Sequence, residues 1–486
     1  MGGLSKKAYQ LEKIRGLYDT PYLTVDGGNL LFKRESLPSA LLQQAEITAG
    51  GIIDAYNLME HDAVAVGRND LAAGLHFLRE QASRSTFKWL SANLVSKTDG
   101  KPIFQTSLIR TLGDLTIGVI GLTGQNGRSL FRHDEDAAIL PWQEVLPGLV
   151  SELASQCDLL ILLSNNPVKL NREIAASLEN IHLIIQSAPS SRNTSPELTN
   201  KSLIAQTGKQ GKFLGWMLID WTPSKTWGRK GAVKELTLKK QELDGINGRI
   251  SRIERREKKD ALPGNRSYQN LLKTRERLLA QIELLKQEQD NLRNTDHALS
   301  TFENNFIALD IKLPDHAEVE RIVSTTKERV NLAGRSKAEE TVVSPDRAMM
   351  SRINSVFSGW RTCAQCHPEQ TDFWEKTDHA IAYQTLAEQG QQFNLDCLPC
   401  HVTAEYRDTR ISEDDAVLLS LPATLQQVGC EVCHGPGITH IAGQDPAKIS
   451  RKPEPAVCLR CHTPERDEEF NYANDLEKIA CPSSSR

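Results

Sequence analysis

The sequence lacks several things that would settle its class at once. No stretch is long and apolar enough to cross a membrane. Charge of one sign is missing too: 58 Lys and Arg stand against 62 Asp and Glu, a net of −4. That balance gives no hint of nucleic-acid binding. The start, Met1-Gly2-Gly3-Leu4-Ser5-Lys6-Lys7, carries charges with no apolar core behind them, so it is not a secretory signal peptide. Histidine is scarce, at 12 in 486 residues.

Cysteine is where the information lies. Eight of the ten cysteines fall in four copies of Cys-x-x-Cys-His. These are Cys363-Ala364-Gln365-Cys366-His367, Cys397-Leu398-Pro399-Cys400-His401, Cys430-Glu431-Val432-Cys433-His434 and Cys458-Leu459-Arg460-Cys461-His462. The pattern is the attachment signature of c-type haem. Two thiols three positions apart reach the two vinyl groups of one porphyrin, and the adjacent His falls under the iron. The competing readings are structural zinc built from Cys-x-x-Cys pairs, or disulfides. Neither needs a His after every pair. The expectation is four covalent haems, with His367, His401, His434 and His462 as proximal ligands. Cys157 precedes the apolar run Leu159 to Leu163 and reads as a small buried hydrophobe. Covalent haem attachment implies export, so the chain is expected in the periplasm or outside the cell, in a mature form or with a start placed too late.

Composition divides the chain into an expected series of domains. Residues 1–228 alternate short apolar runs with amphipathic stretches. Leu23–Asp26, Ala63–Val66, Ile117–Ile120, Leu159–Leu163 and Leu183–Ile185 read as strands. Ile52–Glu60 and Val145–Cys157 read as helices. This pattern predicts an α/β layered domain. Residues 229–300 are densely charged and almost free of aromatics. Leu236, Leu243 and Ile250 repeat every seven residues, as do Leu271, Leu278, Leu285 and Leu292, with Pro263-Gly264-Asn265 between. The period predicts an antiparallel coiled-coil hairpin, either a structural arm or a docking and oligomerisation device. Residues 301–332 should return to the α/β domain as a strand at 305–313 and a helix from Pro314-Asp315 to about Val330. A polar linker at 333–348 and a mainly α haem segment at 349–486 complete the expected order.

The front region resembles the metallophosphoesterase domain of the 5'-nucleotidase family. Asp26-Gly27-Gly28-Asn29 stands where that family has Asp-x-Gly-Asp, and Gly67-Arg68-Asn69-Asp70 where it has Gly-Asn-His-Glu. Gly2-Gly3-Leu4, Leu90–Leu94, Ile120–Gly124 and Gly208–Lys212 follow in the same order. The departures fall on the metal ligands. Asn29 replaces the bridging Asp. Arg68-Asn69 replaces Asn-His. Asn165 replaces a strand-end His, and Ser187-Ala188-Pro189-Ser190 replaces Gly-His-x-His. The family's first strand with Asp-x-His has no counterpart. The resemblance therefore implies a phosphoesterase scaffold that has lost its metals.

The last part, Thr362 to Pro482, resembles tetrahaem cytochromes of the cytochrome c-554 type. The shared features are Trp374–Ala380, the second motif, Gly429–Gly437 with His440, and the closing fourth motif. The family implies closely stacked haems and electron transfer with redox protein partners. Within the segment only His379 and His440 remain as further imidazoles. Both are expected distal ligands, His379 from a helix face shared with Tyr383 and Leu386, and His440 serving a haem other than that of His434. Met349, Met350, Cys481 or an open coordination site would complete the other two irons. His61, His76, His133, His182, His297 and His316 read as structural. The resulting expectation is an electron-transfer protein fused to a catalytically dead domain. Its alternative is a multihaem oxidoreductase acting on a small nitrogen or sulfur compound at an open haem. An active phosphohydrolase is a third class.

Overall fold

The computed structural model describes residues 3–125, 136–187, 193–208, 210–222, 225–227, 231–256, 262, 266–293, 299–343, 356–404, 413–463, 466–467 and 470–482. Met349, Met350, Ala188, Pro189 and Ser190 lie outside the described residues. Two compact units emerge. One comprises residues 2–35 and 53–319; the other comprises 36–52 and 320–486.

The first unit is built on a six-stranded sheet. Its strands are β5 (Ser107–Leu112), β6 (Leu115–Leu122), β8 (Leu159–Ser164), β9 (Leu183–Gln186), β10 (Thr194–Thr199) and β11 (Ser202–Gln206), in the order β10-β11-β9-β8-β6-β5. The four inner strands run parallel, and the two edge strands are antiparallel to their neighbours. The sequence Leu159-Leu160-Ile161-Leu162-Leu163 is apolar throughout because both sheet faces are covered. Leu160 and Leu162 point to one core, against Leu146, Val150 and Leu153 of helix α4 (Trp142–Ala154) and Ile174 of helix α5 (Val168–Ser177). Leu159, Ile161 and Leu163 point to the other. There they meet Ala63 and Ala65 of β2 (Ala63–Ala65) and Leu90 of β3 (Lys88–Leu90). These two strands and β1 (Val25–Asp26) form a parallel three-stranded sheet. The α/β layered expectation is met, with strands where the apolar runs placed them.

Two more pairs extend the first unit. A short antiparallel ribbon joins β4 (Leu94–Val95) to β7 (Ala138–Ile139). The other joins β12 (Phe213–Asp220) to β13 (Thr301–Ala308). The strand expected at 305–313 thus begins earlier and stops at Ala308. Asp310 ends it by forming a turn, its carboxylate accepting the Lys312 amide at 2.9 Å. Between β12 and β13 run helix α6 (Gly231–Arg256) and helix α7 (Arg266–Arg293). Ile246, Ile250 and Leu278 are buried together, with Leu243, Tyr268, Leu271 and Leu272 packed around them. Of the heptad residues, Leu243, Ile250, Leu271 and Leu278 therefore lie in the contact between these helices.

The second unit differs from the expected domain series. Helix α8 (Ala317–Val343) continues through most of the polar stretch read as a linker. From Glu320 onward it groups with the C-terminal residues rather than returning to the α/β unit. Ala338 of α8 is buried with Leu386, Leu395, Leu398, Leu418 and Leu425. Ala40 and Leu41, from the start of helix α2 (Ser39–Leu58), belong to the same cluster. Gln44 ties α2 to the C-terminal chain: its amide donates to the Phe393 carbonyl at 2.7 Å and accepts from the Leu395 amide at 3.0 Å. Gly334 permits close approach, since a Cβ there would meet the Phe393 carbonyl oxygen at 2.0 Å. Among the described residues no helix is long and apolar enough to cross a membrane.

One buried histidine makes the first unit sensitive to acid. His182 Nδ1 accepts the Leu160 amide at 2.9 Å, so the ring is neutral with its proton on Nε2. Burial, then Lys225 and Lys201, hold its pKa down at about 4. The unfolded chain takes up a proton near pH 6.5 that the folded protein refuses until about 4. Stability from this group is therefore complete above 6.5 and is lost as pH falls toward 4. A shift of this size corresponds to about 3 kcal/mol. Urea midpoints of the parent protein should fall across that window, and His182→Gln should reduce the slope. An unchanged slope in the variant would assign the acid sensitivity to other groups.

Candidate functional site

The four Cys-x-x-Cys-His segments each fold as about one helical turn. Residues i, i+3 and i+4 share a face of such a turn, so both sulfurs and the imidazole project together. The amides of His367 and His462 donate to the carbonyls of Cys363 and Cys458 at 2.9 and 3.0 Å. Cys397 precedes the turn Leu398–His401, and Cys430–His434 is a single short helix. None of the ten cysteines is joined in a disulfide.

The motifs meet in pairs. The Cys363 and Cys430 thiols are neighbours, and their interaction lowers the pKa of Cys363 and raises that of Cys430. The Cys400 and Cys461 thiols are neighbours likewise, which holds Cys400 at about 6, while Arg466 also lowers it. The Arg466 guanidinium donates to Cys400 Sγ at 2.8 Å. Burial pushes Cys433 up to about 11, with Cys458 and Cys481 adding to the shift. The first motif thus lies beside the third, the second beside the fourth, and the third also approaches the fourth through Cys433 and Cys458.

Imidazole orientation is fixed from behind. His401 Nδ1 meets the Ala382 carbonyl at 2.6 Å, and His434 Nδ1 meets the Ser450 carbonyl at 2.6 Å. His440 Nδ1 meets the Asp445 carbonyl at 2.9 Å. A carbonyl only accepts, so each Nδ1 carries the proton and each Nε2 keeps its lone pair. His462 Nδ1 meets the Asp467 carboxylate at 2.8 Å. Metal-bound histidines show this arrangement, with the outer nitrogen bonded to a carbonyl or carboxylate. The donor set therefore fits haem: paired free thiols, one imidazole beside each pair, and metal-facing nitrogens left open.

The two additional histidines each face a motif imidazole. His440 and His367 ring centroids are 6.3 Å apart at 26°. His379 and His462 centroids are 6.1 Å apart at 70°. His440 lies on the helix Ile438–Gly443. His379 does not share a helix with Tyr383 and Leu386, because that helix begins only at Ala382. It sits instead in a turn, where its carbonyl accepts the Val428 amide at 3.2 Å and the Ala382 amide at 3.4 Å. Burial and the His462 ring lower its pKa, and Asp378 opposes them.

The other set of residues at family positions also comes together. Asp26, Asn29, Arg68 and Asn165 lie at the carboxyl ends of β1, β2 and β8, where α/β sheets form their binding crevices. Their polar atoms are engaged with the protein. Asn29 Oδ1 accepts the Asn69 amide at 3.0 Å. Asn165 Oδ1 accepts the Gly124 amide at 2.6 Å, and its Nδ2 donates to the Val66 carbonyl at 3.1 Å. Arg68 forms a two-pronged pair with Glu35, at 2.7 and 2.9 Å. That pair is the main reason the Glu35 carboxyl has a lowered pKa. Asp26 accepts from the Tyr56 hydroxyl at 2.9 Å, and Lys7 donates to that hydroxyl at 2.8 Å. Gly28 has φ +95, and a Cβ there would meet the Ala65 carbonyl oxygen at 2.4 Å.

Residues 362–435 match the family model described as cytochrome c554 and c-prime. Cytochrome c-554 of Nitrosomonas europaea is 33% identical over 99 residues, covering 17% of this chain and 40% of that protein. The chain is a cytochrome c-554-like segment joined to a UshA-like region. The second relationship rests on UshA of Salmonella pullorum, 37% identical over 101 residues, 21% of this chain and 17% of that protein. The chain spans less than half the length of these curated relatives. Two solved structures are also similar. The sulfate thiohydrolase SoxB of Thermus thermophilus has a TM-score of 0.45 and 13% identity, covering 76% of this chain and 54% of that one. A putative 5'-nucleotidase of Staphylococcus aureus has a TM-score of 0.37 and 18% identity, covering 46% of each chain. The cytochrome match implies c-type haem.

Three partners were not anticipated from sequence: Asp467, Glu35 and the carboxylate of Glu431. Glu431 is 3% exposed. It accepts the amides of Gly359 and Gly437 at 2.8 Å each and that of Ser358 at 3.0 Å. It thereby ties the third motif to the chain entering the first. A buried amide left unpaired costs about 1–3 kcal/mol. Glu431→Ala should therefore lower the unfolding free energy of the C-terminal unit by at least about 3 kcal/mol, and a loss below about 1 kcal/mol would show the carboxylate to be dispensable.

Proposed function

We propose that this protein is an exported tetrahaem c-type cytochrome acting in electron transfer, with a phosphoesterase-like scaffold that has no hydrolytic activity. One observation carries the reading: four Cys-x-x-Cys-His turns meet in pairs, and backbone carbonyls or a carboxylate fix the motif imidazoles His401, His434 and His462 through Nδ1. Cys363 and Cys366, Cys397 and Cys400, Cys430 and Cys433, and Cys458 and Cys461 would hold one haem per pair. When bound, the haems supply one-electron transfer. The chain's own residues would bring the motifs together and orient their imidazoles.

The ring pairs support one choice of axial partners. Two metal–nitrogen bonds of about 2 Å each, plus the inner halves of two imidazoles, span about 6 Å between centroids. His367 with His440, and His379 with His462, stand at that separation. We therefore assign His440 to the iron of the first motif and His379 to that of the fourth. Among the described residues no second imidazole stands against His401 or His434. That supports the second reading, in which an open haem reduces or oxidises a small nitrogen or sulfur compound. Redox proteins are the expected partners of either form, and the α6–α7 pair would serve as a coiled-coil arm for support, docking or oligomerisation.

The dead-scaffold reading rests on chemistry at the strand ends. A pair of divalent ions is held largely by carboxylate and imidazole donors, and here amides turned onto the backbone and a guanidinium paired with Glu35 stand at the family's ligand positions.

Made in an exporting host with haem-attachment machinery, the full chain should carry four haems by mass and by pyridine haemochrome assay. A mass equal to the bare polypeptide would refute the reading. His379→Ala and His440→Ala should each turn one haem in four to high spin and open it to carbon monoxide. Unchanged spectra in both would make these histidines structural. The same preparation should hydrolyse neither nucleotides nor a chromogenic phosphate ester and should hold no stoichiometric divalent metal. Hydrolysis together with bound metal would restore the phosphohydrolase.

A further inference from the structure

The fourth-motif imidazole differs from its counterparts. His401, His434 and His440 bond through Nδ1 to neutral backbone carbonyls. His462 bonds to the Asp467 carboxylate at 2.8 Å. The carboxylate is held where it is by its own backbone. The Asp467 amide donates to the Thr463 carbonyl at 2.8 Å, and the Asp467 carbonyl accepts the Phe470 amide at 3.3 Å. Phe470 also stacks on the His462 ring, with centroids 4.7 Å apart at 19°. These two backbone bonds and the ring stacking hold both the acceptor and the plane of the imidazole.

We infer that Asp467 is a positioning residue that lowers the reduction potential of the haem attached at Cys458 and Cys461. The inference rests on the tetrahaem reading. A carboxylate at Nδ1 draws that proton toward itself and enriches the ring in electrons. The enriched Nε2 binds ferric iron more strongly than ferrous iron, because the ferric centre carries the greater positive charge. One electron is transferred in the couple, no bond is broken, and the Nδ1 proton stays within the His462–Asp467 pair. A backbone carbonyl, being neutral, exerts less of this pull. Of the two imidazole pairs, His379 with His462 therefore has the more electron-rich axial ligand. Arg466 lies next in sequence, but its guanidinium donates to Cys400 Sγ at 2.8 Å and makes no bond to the His462 ring. Asp467 acts through a direct hydrogen bond.

The test compares the full haem-loaded chain with Asp467→Asn and Asp467→Glu by spectroelectrochemical titration. Asn keeps the size and the accepting oxygen but removes the charge. In D467N with four haems attached, one potential should rise by about tenfold in the reduction equilibrium, about 59 mV for one electron, while the other three stay. D467E should keep the parent's potentials. Four haems with unmoved potentials in D467N would overturn the proposal and leave the tetrahaem reading intact. Fewer than four haems in the parent would instead overturn that reading. If D467N fails to attach its fourth haem, D467E decides: attachment at the parent's potential supports the proposal, whereas attachment at a raised potential, or no attachment, overturns it.

Discussion

On the tetrahaem reading, the chemistry of the C-terminal unit would depend on which nitrogen of each imidazole is free. An axial ligand must offer Nε2 with its lone pair, and the tautomer that does so carries its proton on Nδ1. At His401, His434 and His440 a carbonyl oxygen within 2.6 to 2.9 Å enforces that tautomer. These bonds also stop rotation about the side-chain torsions, so much of the ordering cost is met by the protein itself. The carbonyls come from turns and short helices, which explains why so much of this unit is short helix and loop. Long regular elements would satisfy their carbonyls internally and leave few to point at a side chain.

How much of this could be read in the sequence depends on the range of the constraint. Covalent attachment demands two thiols and an imidazole within one turn, so it writes itself into five consecutive residues. The covered sheet faces write themselves as unbroken apolar runs, as at Leu159–Leu163. The heptad spacing of α6 and α7 is equally local. By contrast, the facing rings of His367 and His440 belong to distant parts of the chain, and no spacing rule joins them. Asp467, Glu431 and Glu35 are single acidic residues in a chain with 62 of them, and only the fold distinguishes them. The extent of α8 was missed for another reason. Its inward stripe, Val330, Gly334 and Ala338, falls at helical spacing, but two of the three are small. Small residues pack tightly while carrying little hydropathic signal, so the stretch looked like a polar linker.

At the strand ends of the first unit Asn29, Arg68 and Asn165 each have a partner within the protein. Each amide has a backbone partner, and the guanidinium has Glu35. Leaving such groups buried and unpaired would cost about 1–3 kcal/mol apiece.

The C-terminal unit is not one uninterrupted length of chain. It draws on residues 36–52 as well as 320–486, and Gln44 supplies both a donor and an acceptor to the backbone at Phe393 and Leu395. A single cut can therefore not release the haem-binding part as a self-sufficient piece. A gene fragment beginning at α8 would leave the Leu395 amide and the Phe393 carbonyl without their partner and bare the faces of Leu386 and Leu398 that Ala40 and Leu41 help to cover. The two units are interleaved along the polypeptide, so neither can be exchanged by a simple end-to-end splice.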